Sequence, residues 1–470
     1  MKATTTIKAA AIATLHFTLS ILNFTAQGAV IQQVIVRQQW PWSTDVKVEY
    51  KLAEVTSPVD ISVKAFNGDV ELPLPASAII GNRYGISESG IGQFVIDPVK
   101  AFGNGKIAIA DFRVELELSD STYDYDEVLY KIFCLTNNTV KSVTRRDLMN
   151  GEYGTVVTNF ANIGEGFNTT LDDVIIWTDV TNNPAYKDTH IVMRKVKAKD
   201  VVWTIGSPSG ETGRQASSGR DETQHEVKLT QDYFIGVFEI TQKQYTRVGF
   251  TNNSQFKTDA EHLYRPVEKV PYSTVRGSRD QSSNGEKICW PTNSVKHAVY
   301  SGSFCGNLRS KFSGVQFDIP TEAQWEFACR AGTTNGVYSG KTSDLNSAVS
   351  ELGWCSVNSA AASSGRYTSD VGLKKPNALG LYDMLGNVME MCLNFSANDI
   401  TDGKSDPLVN PDGGYNPNSS FARQLRGGCA SEQASTCRSA WRAPGNWADT
   451  GTSYYFGFRL VCPDGATWED

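Results

Sequence analysis

Helical periodicity is scarce in this chain, and that scarcity constrains its fold more than any other feature. Long amphipathic stretches are rare, whereas glycine (40) and tryptophan (10) are abundant among the 470 residues. Glycine punctuates turns, so the pattern predicts a loop-rich fold of many short elements. Two segments do carry convincing helix starts. In Thr241-Gln-Lys-Gln, the Thr241 hydroxyl can cap the first turn while Gln244 reaches back to its amide. Pro320-Thr-Glu-Ala-Gln-Trp-Glu-Phe-Ala-Cys-Arg repeats this capping box with Thr321 and Gln324. There Trp325, Ala328 and Cys329 share one face, Glu326 and Arg330 can pair on the outside, and Gly332 ends the helix.

Elsewhere the periodicity is that of strands. Val30-Ile-Gln-Gln-Val-Ile-Val, Val46-Lys-Val-Glu-Tyr-Lys-Leu and Phe112-Arg-Val-Glu-Leu-Glu-Leu are strand-like runs, the last two alternating with period two. Turn signals fall at Asn67-Gly68, Ser89-Gly90 and Gly103-Asn104-Gly105. Residues 30–120 therefore predict a small antiparallel β-sandwich, an accessory module without a titratable cluster. Residues 121–200 predict a connecting β region, with strands at Val174-Ile-Ile-Trp and His190-Ile-Val-Met-Arg. At roughly 150 residues per domain, a chain of this length accommodates two or three domains.

Lys2 and Lys8, the apolar run from Ala9 to Leu22, and the small residues Ala26, Gly28 and Ala29 have the order of a signal peptide over residues 1–29. That predicts a secreted or periplasmic protein. The run is shorter than the ~20 apolar residues a membrane span requires, so no integral membrane segment is expected after signal removal. The net charge of -7 and the absence of a dense basic run argue against a nucleic-acid partner. Nine cysteines in an exported chain tend to pair, and the odd number leaves one over.

Six ordered motifs over residues 201–462, the last made of three closing segments, carry a family resemblance. They are Trp203-Thr-Ile-Gly-Ser, then Phe234-Ile-Gly-Val-Phe-Glu-Ile-Thr-Gln-Lys-Gln-Tyr, then Arg265-Pro-Val-Glu-Lys-Val. Ile319-Pro-Thr-Glu-Ala-Gln-Trp-Glu-Phe-Ala-Cys-Arg-Ala-Gly and Lys375-Pro-Asn-Ala-Leu-Gly-Leu-Tyr-Asp-Met-Leu-Gly-Asn-Val-Met-Glu-Met follow. Leu425-Arg-Gly-Gly, Cys437-Arg-Ser-Ala-Trp-Arg and Gly457-Phe-Arg-Leu-Val close the series. Together they resemble the formylglycine-generating enzyme, or sulfatase-modifying factor, family. The resemblance implies an α+β, loop-rich domain related to C-type lectins over residues 201–465, preceded by the all-β sandwich.

It also implies candidate sites. Asp383, the carbonyls of Gly386 and Val388, and Glu390 match a calcium site of the family, whose members carry Asn where Asp383 stands. Hard cations take such oxygen donors. The alternative is that Asp383 and Glu390 satisfy backbone amides in a glycine turn. Asn358 matches a remnant of a second calcium site. Met389 and Met391 stand where the family has tryptophan, a core change that removes two indole donors.

The family's oxidases hold copper(I) through two cysteines in a C-x4-C pattern and oxidise a cysteine of a sulfatase peptide to formylglycine. Thiolates suit that soft ion. Cys437 can take the second position, but Glu432 stands at the first, and the nearest substitute is Cys429. These two cysteines are the catalytic candidates. A structural disulfide between Cys392 and Cys437 is the competing use, because relatives lacking the copper pair often have cysteine at both positions. The iron branch of the superfamily needs a histidine-rich site, and His16, His190, His225, His262 and His297 form no close pair.

Arg426, Arg438, Arg442 and Arg459 recur near the end, with aromatics interleaved. Trp441, Arg442, Trp447 and Tyr454 could line a groove for a peptide or anionic ligand, or the arginines could brace the core through hydrogen bonds. Two functions follow. One is an oxidase acting on cysteine in an exported, sulfatase-like polypeptide. The other is a catalytically inactive binding or scaffold protein with Cys437 locked in a disulfide.

Overall fold

A computed structural model describes residues 28–38, 43–103, 109, 111–158, 174–216, 220–277, 299–340, 344–362, 365–395, 404–405, 423–444 and 452–464. The expected signal segment, Cys289, His297 and Trp447 lie outside the described residues, apart from Gly28 and Ala29 at the end of that segment. The chain divides into two compact units, Met1–Glu127 with Thr144–Val156, and Val128–Val143 with Val157–Asp470.

The first unit holds a four-stranded and a three-stranded sheet. Strands Val30–Gln38, Val46–Ala53, Gly90–Ile96 and Ile79–Gly81 lie side by side in that order. The Val59–Asn67 strand sits between Val70–Leu72 and Phe112–Asp120 in the other sheet. Period-two alternation decides which side chains turn inward. Val48, Tyr50 and Leu52 from one sheet and Val59, Ile61 and Ala65 from the other join one apolar core.

The second unit is a mixed α/β domain, mostly sheet with few and short helices. Its five-stranded sheet runs Val461–Pro463, Tyr233–Gly236, His190–Val196, Val128–Cys134, Val140–Thr144. Tyr233–Gly236 is buried at every position, as a strand covered on both faces must be. A four-stranded sheet orders Arg442–Pro444, Arg423–Arg426, Met389–Phe395 and Phe456–Gly457.

Both capping boxes form. Thr241 caps helix Gln242–Val248 and Thr321 caps helix Glu322–Arg330, each with its glutamine reaching back. The second helix ends one residue earlier than expected, with Ala331 already left-handed at φ 46°. Glu326 and Arg330 do pair, but in the interior rather than outside: their side chains are 1% and 6% exposed. Glu326 turns inward because it also receives the Gly206 amide and the Arg426 guanidinium. Helices Phe304–Lys311 and Leu345–Leu352, capped by Ser303 and Asp344, complete the longer helices described.

Candidate functional site

The Asp383–Glu390 segment is buried, and its acids have different partners. Glu390, in the Met389–Phe395 strand, accepts from both Arg459 Nη2 at 2.8 Å and the Trp325 indole at 2.8 Å. Arg459 Nε adds bonds of 3.1 Å to each carboxylate oxygen. Asp383 sits in the left-handed region at φ 55°. Its Oδ2 accepts the Gly372 amide at 2.7 Å, while Oδ1 is buried without a hydrogen-bond partner.

A third acid, Glu239, joins them. It receives the Asn387 side-chain amide at 2.7 Å and the Val388 amide at 3.1 Å. Burial first, then the neighbouring Asp383 and Glu390 charges, hold the Glu239 carboxyl well above the usual carboxylate range. Burial likewise pushes Asp383 up to about 6, against the pull of the Gly372 amide, Arg459 and Lys187. Sequence reasoning missed Glu239, although an acid directly after the apolar run Tyr233–Phe238 was the available signal.

The orphaned Asp383 oxygen fits a cation, whereas Glu390 is already neutralised by Arg459. Among the described residues no three histidine, cysteine or acidic side chains converge as a metal centre. A cation here would therefore draw mainly on Asp383 and backbone carbonyls such as those of Gly386 and Val388. Gly386 is held at φ 84°, and a Cβ there would lie 2.1 Å from the Trp354 carbonyl oxygen. Asn358 is engaged locally: it accepts the Cys355 amide at 2.8 Å and donates to the Gly353 carbonyl at 2.9 Å.

The cysteine loop is equally buried. All eight described cysteines are free thiols, so Cys392 and Cys437 are not joined here. Cys437 Sγ lies 3.9 Å from the carbonyl oxygen of Cys429. Burial pushes both thiols up, Cys437 further under the influence of Cys355 and Cys429. Glu432 is only partly buried. Cys392 packs in the same apolar core as Cys437, near Glu322, Arg426, Glu390 and Arg442.

The arginines act as braces. Arg426 meets Glu326 and donates to the Ala440 and Trp441 carbonyls, Arg438 meets Glu222 and Glu211, and Arg442 meets Glu322 at 2.8 Å. The expected groove is therefore not assembled from Trp441 and Arg442, which are 2% and 5% exposed. Trp441 packs in the core instead, alongside Met389 and Met391. Tyr454 does face outward, 38% exposed, with Lys269 Nζ 5.3 Å from its ring centre.

A loop-rich, mostly-sheet α/β domain pinned by buried Arg–Glu pairs is the class these features define. The chain belongs to the sulfatase-modifying factor enzyme 1-like domain family, whose model matches residues 190–463. It is 29% identical over 181 residues to the chaperone protein LppX of Paenibacillus barcinonensis, covering 34% of this chain and 61% of that protein. It is 27% identical over 257 residues to the serine/threonine-protein kinase pkn1 of Chlamydia pneumoniae, covering 54% of this chain and 36% of that one. The chain thus spans less than two thirds of the length of these relatives. Among solved structures it is similar to Treponema denticola variable protein 1 (TM-score 0.42, 23% identity, 59% of this chain and 96% of that one). It is also similar to PvdO from Pseudomonas aeruginosa (TM-score 0.41, 20% identity, 58% of this chain and 94% of that one). Among the described residues no helix is long and apolar enough to cross a membrane.

Proposed function

We propose that this protein is a non-catalytic binding or scaffold member of its family, exported and directed at an exported polypeptide. The observation that carries this is the state of the cysteine loop. Cys429 and Cys437 are 1% and 0% exposed, and burial keeps them as thiols rather than thiolates. Copper(I) prefers thiolate pairs, and a carboxylate, Glu432, occupies the first position of the pattern. That donor set does not fit the ion. The first unit, with its two sheets, is the candidate docking module, and calcium on Asp383 is a structural rather than catalytic ion in this reading.

The oxidase reading rests on family membership and requires both thiols to be reachable and metal-bound. The test is incubation of reduced protein with copper(I) and a sulfatase-type Cys-x-Pro-x-Arg peptide. The peptide is expected to return unchanged by mass spectrometry. Conversion of its cysteine to formylglycine, lost in Cys437→Ser, would restore the oxidase reading.

A further inference from the structure

The cysteine that the Cys429–Cys437 loop meets is neither of those weighed from sequence but Cys355. It follows the Leu345–Leu352 helix, and its neighbour Ser356 donates its amide to the Glu432 carbonyl at 2.8 Å, inside that loop. The same junction is tied twice more. The Asn387 amide donates to the Trp354 carbonyl at 2.8 Å, and the Ala430 amide donates to the Asn387 carbonyl at 3.0 Å. Cys355 and Cys437 are both 0% exposed and share one apolar core with Cys329 and Cys392, and all four are free thiols in this structure. The loop backbone lies directly against the Cys437 sulfur at Gly428, φ 72°, where a Cβ would stand 2.6 Å from it. Among the neighbouring charges that raise the Cys437 thiol, Cys355 comes before Cys429.

We infer that Cys355 is the redox partner of Cys437, the two closing a disulfide that clamps the residue 353–359 turn to the Cys429–Cys437 loop. This rests on the scaffold reading above, because a Cys437 so bonded has no thiol to offer a metal. The step is a two-electron oxidation. The two S–H bonds break and one S–S bond forms, while an external disulfide such as oxidised glutathione takes up both electrons and both protons and leaves as two thiols. Burial leaves little thiolate at neutral pH, so closure belongs to folding, when the sulfurs are still wet.

The test refolds the reduced full-length chain in a mixture of oxidised and reduced glutathione, alkylates free thiols, and maps linked peptides without reduction. A peptide joining Cys355 to Cys437 is the expected product. Cys437 linked to Cys392 or Cys429, or alkylated throughout in folded protein, overturns the proposal. A second measurement guards against misfolding. Reductant should lower the melting temperature of the oxidised wild type by more than it lowers that of Cys355→Ser, and equal shifts overturn the proposal. Peptide turnover by copper-loaded protein sinks the scaffold reading separately, whatever the linkage map shows.

Discussion

The acids and arginines of the interior set the strongest single-residue expectations. Arg459 neutralises Glu390 with both side chains at 0–1% exposure. Removing one partner of a buried pair leaves an uncompensated charge and typically costs about 3–5 kcal/mol. Arg459→Met should therefore lower the urea-unfolding free energy by that order, and a loss below ~1 kcal/mol would mean the pair is water-accessible. Asp383 makes a pH prediction. Its folded-state pKa, about 6, lies above its ordinary 3.8, so the folded protein binds this proton more tightly than the unfolded chain. The proton's stabilisation is complete below the unfolded value and is lost as pH rises through the folded one. The loss is of the order of ~3 kcal/mol, at about 1.4 kcal/mol per unit. The stability of wild type minus that of Asp383→Asn should fall across this window, followed by denaturant titration at several pH values. A bound calcium ion would hold the carboxylate charged, so added calcium should flatten the wild-type decline and raise its melting temperature. A calcium-insensitive melt removes the ion from this site.

At the level of elements, legibility followed the range of the interaction. Both capping boxes were visible because every atom involved lies within four residues, and Thr321→Ala should cost about 1 kcal/mol in a thermal or urea melt. The strands at Val46–Ala53 and Phe112–Asp120 were visible by their period of two. The Phe304–Lys311 and Leu345–Leu352 helices were not singled out. Each is eight residues long, which leaves little room for a helical period to declare itself. The inward turn of Glu326 was also invisible, since its partners Gly206 and Arg426 are distant in sequence. The burial of Trp441 and Arg442 was invisible for the same reason. Nothing local in Cys437-Arg-Ser-Ala-Trp-Arg says that Glu322 and Glu222 will claim its arginines. Of the candidate site, the Asp383–Glu390 turn was legible as a motif, but Glu239, which faces it, was not.

The whole molecule consists of two compact units, the first of which takes back Thr144–Val156 after the chain has entered the second. Separate cores can melt separately, so calorimetry should resolve two transitions, and a single two-state peak with equal calorimetric and van't Hoff enthalpies would contradict that expectation. The second unit also carries an obligation in time. Its central sheet is finished by Val461–Pro463, which pairs with Tyr233–Gly236, and Arg459, the partner of Glu390, arrives in the same final stretch. A chain emerging from its amino end must keep an apolar strand edge and a buried acid waiting until residues 459–463 are made. Assembly of this domain therefore waits for its closing strand, and a nascent chain stalled before residue 459 would be a client for chaperones rather than a partly working protein.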